Sequence, residues 1–179
     1  MVKILDMKPG PKLQFFSNLC GYQISWFACV LGGTLPAISV VGLFVLWHSR
    51  MAREFEWRFV SVFWLLGVSL DSLQTKLGII SFDQAHGFPI APWLALLWLA
   101  FAMTLLHSMQ VVLRSFWLSM ALAAIAAPLS YFAGERLEVL SISEHGYISI
   151  AVCWSILLGS TSIVANRYGL ITKQQLKEA

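Results

Sequence analysis

Long apolar runs separated by short polar breaks set the pattern of this chain, and they predict six helices. Their expected bounds are 13–31, 35–49, 59–79, 92–113, 115–134 and 147–166. Crossing a hydrocarbon core takes about 20 residues at roughly 1.5 Å of rise each, and most of these runs reach that length. The punctuation is consistent. Gly32-Gly33-Thr34-Leu35-Pro36 forms a tight turn, with Pro36 suited to the first turn of a helix. Residues His48 to Arg58 (HSRMAREFEWR) read as a charged, amphipathic connection. A Gly/Pro-containing loop runs from Ser81 to Pro92, Arg114 and Ser115 leave only a tight turn, and Glu135 to Gly146 is a polar loop. The basic start of the chain resembles a signal peptide. Asn18 and Gln23 interrupt the first apolar run, however, and further runs follow, so the first helix is expected to be retained.

The third helix stands out because it places a carboxylate, Asp71, in the middle of an apolar run. At 100° per residue, Gly67, Asp71, Gln74 and Gly78 fall within an arc of about 60°. One face therefore carries an acid, an amide and two glycines suited to helix packing. A charge at mid-membrane costs a few kcal/mol even on lenient scales, so this face should turn inward.

Composition sharpens the picture. The chain of 179 residues is 58% hydrophobic and 12% charged, with mean hydropathy +0.74, whereas soluble domains carry about 25% charged residues. That excludes an ordinary soluble domain. The net charge of +3 is no nucleic-acid signal, since the basic residues sit at helix ends. Alternating the sides of the membrane puts ten of the 12 Lys and Arg on one face (Lys3, Lys8, Lys12, Arg50, Arg53, Arg58, Arg114, Arg167, Lys173, Lys177) and leaves Lys76 and Arg136 on the other. The positive-inside rule then predicts an all-α polytopic protein with six transmembrane helices, one domain over residues 1–179 and both termini cytoplasmic.

Placing side chains by depth puts Asp71, Gln23 and Ser155 near the midplane. Asn18, His107 and Ser108 lie further towards the cytoplasm; Gln74, Trp98, Ser130 and Tyr131 lie on the periplasmic side. Candidate ligand-binding residues are therefore Asp71, Gln74, Gln23, Asn18, His107 and Tyr131, lining a polar cavity. The alternative role of Asp71 is a helix–helix anchor to Gln23 or Ser155. The fifth helix is slender and Ala-rich, with Ala123 and Ala127 spaced for small-xxx-small packing and Pro128 placed to kink it. Cys20, Cys29 and Cys153 show no paired spacing. Neither a disulfide framework nor a metal site is expected, and no cofactor motif is present: the chain has no GxSxG, HExxH, Walker or Rossmann pattern.

The stretches SNLCGYQISWFACVLGG, DSLQTKLGIISF, PWLALLWLAFAMTLLHS and PLSYFAGERL resemble a family of small bacterial inner-membrane proteins of unknown function. The pattern maps onto Asn18, Trp26, Gly32, Gly33, Asp71, Pro92, Trp93, Trp98, His107, Pro128, Tyr131 and Gly134. The resemblance implies a bacterial cytoplasmic-membrane location and an association with membrane-lipid modification. Three functional expectations follow. The first is a protein that binds and moves an amphipathic or lipid-like small molecule; the second is a lipid-modifying enzyme with Asp71 or His107 as acid/base; the third is a non-catalytic partner of another membrane subunit. Membrane lipids are the expected surroundings in each case.

Overall fold

The computed structural model describes residues 10–82 and 90–171. Lys3, Lys8, Lys173 and Lys177, used in the charge argument, and most of the expected 81–92 loop lie outside the described residues. Within them are seven helices and one short two-stranded sheet: α1 (Pro11–Gly32), α2 (Thr34–Ser49), α3 (Glu54–Lys76), β1 (Ile80–Ser81), α4 (Pro92–Ala102), α5 (Gln110–Leu113), α6 (Phe116–Arg136), β2 (Ser141–Ile142) and α7 (Gly146–Arg167). Two of them, α6 and α7, are long and apolar enough to cross a membrane by length and composition.

The predicted helices appear, with two physical corrections. The expected fourth helix is two pieces, α4 and α5, joined by an unwound stretch at residues 103–109. In that stretch Thr104 and Leu105 make tight bonds back to Phe101 and Ala102, while the Met109 N–H reaches over five residues to the Thr104 carbonyl at 2.9 Å. No Pro or Gly causes the break. Asn18 of α1 holds it open: its Nδ2 donates to the Met103 carbonyl at 3.1 Å, and its Oδ1 accepts from the Ser108 N–H (3.3 Å) and hydroxyl (2.6 Å). An amide is suited to the place because it donates and accepts at once. The second correction concerns α3, which begins at Glu54 rather than near 59, so half of the expected connection is its first turn.

Two helix C-termini, those of α3 and α6, close in the same way. Gly78 was expected to pack helices but instead terminates one: it lies at φ +70°, with its N–H on the Thr75 carbonyl and the Ile79 N–H on the Gln74 carbonyl, a Schellman cap. Past α6, Glu138 takes the same left-handed position at φ 58°. Each of these caps feeds a strand, and β1 pairs antiparallel with β2, Ile80 opposite Ile142. Glu135 secures this pairing by accepting from the Ile142 N–H at 2.9 Å and from the Tyr147 hydroxyl. The polar loop expected after the fifth helix thus contains an organised clasp between the ends of α3 and α6.

α4 is apolar on every side and nearly every side is buried, as a helix surrounded by others must be. It packs against α1, α2 and α3, and its Trp98 stacks on Trp154 of α7 at 4.4 Å. α6 lies along α7, where a Cβ on Gly159 would come within 2.8 Å of Met120. The outer surface is apolar: Leu35, Leu43, Leu66, Ile125 and Ile148 are all exposed, while Asn18, Ser25, Asp71 and Ser119 are fully buried.

Two outcomes follow from this construction. Asn18→Leu leaves the Met103 carbonyl and the Ser108 N–H without partners, and should lower stability by about 2–5 kcal/mol, read by denaturation in detergent. Glu135→Ala should speed hydrogen exchange at the Ile142 amide by roughly fivefold to tenfold, the loss of about one hydrogen bond, and leave the α4 amides unchanged.

Candidate functional site

Asp71 lies on the inward face of α3 and is completely buried. Its Oδ2 accepts two short hydrogen bonds, from Trp98 Nε1 of α4 at 2.7 Å and from the Tyr131 hydroxyl of α6 at 2.6 Å. Gln74, one turn along α3, donates to Oδ1 at 3.5 Å, a long bond. One carboxylate therefore joins three helices. Gly67 makes the approach feasible: a Cβ there would lie 2.1 Å from the Trp98 ring. The expectation of an acid flanked by a packing glycine is met at Gly67, but the expected partners are not used. Gln23 is exposed on the outside of α1, and Ser155 donates to the Met120 and Ala151 carbonyls instead.

Beside this network lies a cavity of about 130 Å³ between α1, α4, α6 and α7. Its wall is aromatic and aliphatic, formed chiefly by Tyr22, Trp26, Trp98, Phe101, Tyr131 and Trp154. Ala123 and Ala127, expected as a tight helix–helix contact, also line it, so their small side chains make room rather than close packing. Helix α6 continues through Pro128 to Arg136 without a break. Polar groups at the wall are few. Trp26 Nε1 donates to the Ser130 hydroxyl at 3.1 Å, and the buried Trp154 Nε1 lacks a partner of ordinary hydrogen-bond geometry. Of the residues proposed to line a polar cavity, only Tyr131 does so; Asp71, Gln74, Gln23, Asn18 and His107 do not. The cavity is apolar because Trp98 and Tyr131 cover the carboxylate that they bond.

His107 belongs to a different cluster. The unwound stretch after α4 carries it to Glu56 in the first turns of α3, with Nε2 2.9 Å from Oε2. The ring of His48, in the last turn of α2, lies 4.9 Å away between centroids. Arg53 donates to the other Glu56 oxygen at 3.0 Å. Glu56 precedes the apolar run of the third helix. Burial pushes its carboxyl up, but the hydrogen bonds from His107 and Arg53 outweigh that and hold it down at about 2. Sequence reasoning missed His48 and Glu56, which carry no mutual spacing signal: they meet only through a bend in the chain and the break in α4.

Residues 16–160 match the family described as a protein of unknown function (DUF2878). The chain belongs to that family. This is the kind of family that the sequence resemblance implied, and the match spans Asp71, Trp98, Tyr131 and the His48–Glu56–His107 cluster. No curated protein and no solved structure matches the chain.

Gly67→Ala tests the construction around Asp71. Trp98 is held by Asp71 on one edge and by Trp154 on its face, so it cannot step aside cheaply. The substitution should cost about 1–3 kcal/mol, read as a lower thermal midpoint in detergent. The same change at Gly42, where a Cβ meets nothing within 4 Å, should be close to neutral.

Proposed function

We infer that this protein spans the bacterial cytoplasmic membrane six times with both termini cytoplasmic, and binds an amphipathic or lipid-like small molecule. The ten-to-two division of Lys and Arg supports the topology. The exposed Leu and Ile side chains on α2, α3, α6 and α7 suit a lipid-facing surface. On this reading α4 and α5 form one interrupted span, its non-helical stretch largely shielded by protein, a setting in which such backbone is tolerated at membrane depth.

The cavity between α1, α4, α6 and α7 carries the binding function. Its volume of about 130 Å³ is close to that of an engineered apolar cavity of about 150 Å³ that accepts benzene. A short stretch of acyl chain or a ring fits; a whole lipid does not. The bound molecule would place its apolar end there and its polar end against Tyr131 or Ser130. Binding and carriage are favoured over catalysis because Asp, Glu, His, Lys and Arg are all missing from the lining. Asp71 positions Trp98 and Tyr131 and does not face the bound molecule, which leaves the acid/base reading without a group in contact.

Native mass spectrometry with lipidomics on gently purified protein tests this. A specific amphipathic molecule should accompany the wild type and fall at least about tenfold in Ala127→Trp, a substitution that fills the cavity without touching Asp71. Bulk phospholipid alone on the wild type, or equal occupancy in Ala127→Trp, would overturn the proposal.

A further inference from the structure

His48, Glu56 and His107 come from three separate elements: the end of α2, the start of α3 and the unwound stretch after α4. One potential ligand atom from each lies within 4.8 Å of the others. His48 is 1% exposed, and neither of its ring nitrogens has a hydrogen-bond partner. An imidazole buried in that way forfeits its hydrogen bonds to water and gains none in return, a loss that asks for a compensating ligand. The aromatic neighbours Phe44 and Trp57 stand against the His48 ring by their edges or faces and offer it no acceptor.

We propose that these three side chains bind one divalent first-row transition metal ion, of the zinc class. Two imidazoles and a carboxylate form the protein ligand set of open zinc sites and of facial-triad iron sites, with further positions left for water or another small ligand. Imidazole donors argue against calcium and magnesium, which prefer oxygen, and the absence of a cysteine argues against a soft-metal site. The surroundings match what a metal carboxylate needs. Arg53 occupies Glu56 Oε1 and leaves Oε2 turned towards the imidazoles, the orienting contact that metal ligands commonly receive from a neighbour. At present Glu56 Oε2 and His107 Nε2 share a hydrogen bond; the incoming ion would take both atoms, and His107 would bind as neutral imidazole with its one remaining proton on Nδ1. Bonds of about 2.0–2.2 Å set tetrahedral ligand atoms roughly 3.4 Å apart, so the Glu56–His107 pair would open slightly and atoms as far apart as 4.8 Å would close in. The cluster lies close to the surface: the His107 side chain keeps 12% exposure and Arg53 beside Glu56 keeps 59%.

No metal site was expected from the sequence, because His48, Glu56 and His107 have no ligand spacing along the chain. The site is independent of the cavity, since none of its three residues lines that space.

The test uses the full chain in detergent, stripped with a chelator and dialysed against zinc or cobalt(II). Wild type should retain one ion per chain by elemental analysis, and the cobalt form should show ligand-field absorption. His48→Ala, His107→Gln and Glu56→Gln should each weaken binding by more than 100-fold, beyond the roughly 10- to 100-fold that loss of an orienting neighbour costs. Arg53→Ala should fall within that smaller range, and Asp71→Asn should bind as wild type. Gel filtration identifies any variant that has lost its fold, and the wild-type stoichiometry needs no variant. Wild type without a stoichiometric ion, or folded ligand variants that bind as tightly as wild type, would overturn the assignment.

Discussion

Asn18 and the broken segment of α4 form the interaction on which the other arrangements rest. A central helix surrounded by three others can unwind only if the buried backbone groups it frees find partners, as at Met103 and Ser108. Asn18 supplies one donor and two acceptances from a single fully buried amide. Aspartate in its place could only accept, and leucine could do neither. The unwinding has a directional effect. Residues before it, Trp98 above all, stay in register with Asp71 and Tyr131. His107, within it, is turned towards α2 and α3, where Glu56 and His48 wait. One break therefore divides α4 between two polar clusters with different partners.

The interior is polar at chosen points and the exterior is apolar, which changes what holds the helices together. In the membrane setting proposed above, burying leucine against lipid or against protein is nearly equivalent, so association relies on close packing and on hydrogen bonds. Both are visible. Gly67 and Gly159 let helices approach until a single added carbon would collide with Trp98 or Met120. Ser162 and Asn166 of α7 both donate to the Leu113 carbonyl at the end of α5, at 2.6 and 2.8 Å. These bonds close the second end of the interrupted span as Asn18 closes the first.

Five of the six expected helices, most of their boundaries and the inward face of α3 were legible in the sequence, because apolar periodicity and an isolated acid are local signals. Asn18 and Ser108, placed together by helical rise, do bond. What escaped had non-local causes. The α4 break has no Pro or Gly to announce it; its determinant lies 85 residues away, from Asn18 to Met103. The first turn of α3 looked like a connection because Arg53, Glu54, Glu56 and Arg58 masked a helix start. The cavity was expected to be polar because Asp71 faces inward, but two aromatic donors sheathe the acid, and sheathing cannot be inferred from the periodicity of α3 alone. Gly78 shared a face with Gly67 by arithmetic, yet the helix had already ended.

The stacking of Trp98 on Trp154 carries an optical consequence. Two indoles 4.4 Å apart and only 16° from parallel behave as a coupled pair of chromophores, whose excited states mix and split. One of these rings is tied to Asp71 and both face the cavity, so the splitting reports on the hydrogen bond at one edge and on occupancy at the other. The protein thus contains its own label-free spectroscopic gauge at the meeting point of α3, α4, α6 and α7, built from residues whose structural duty is to cover a buried carboxyl group.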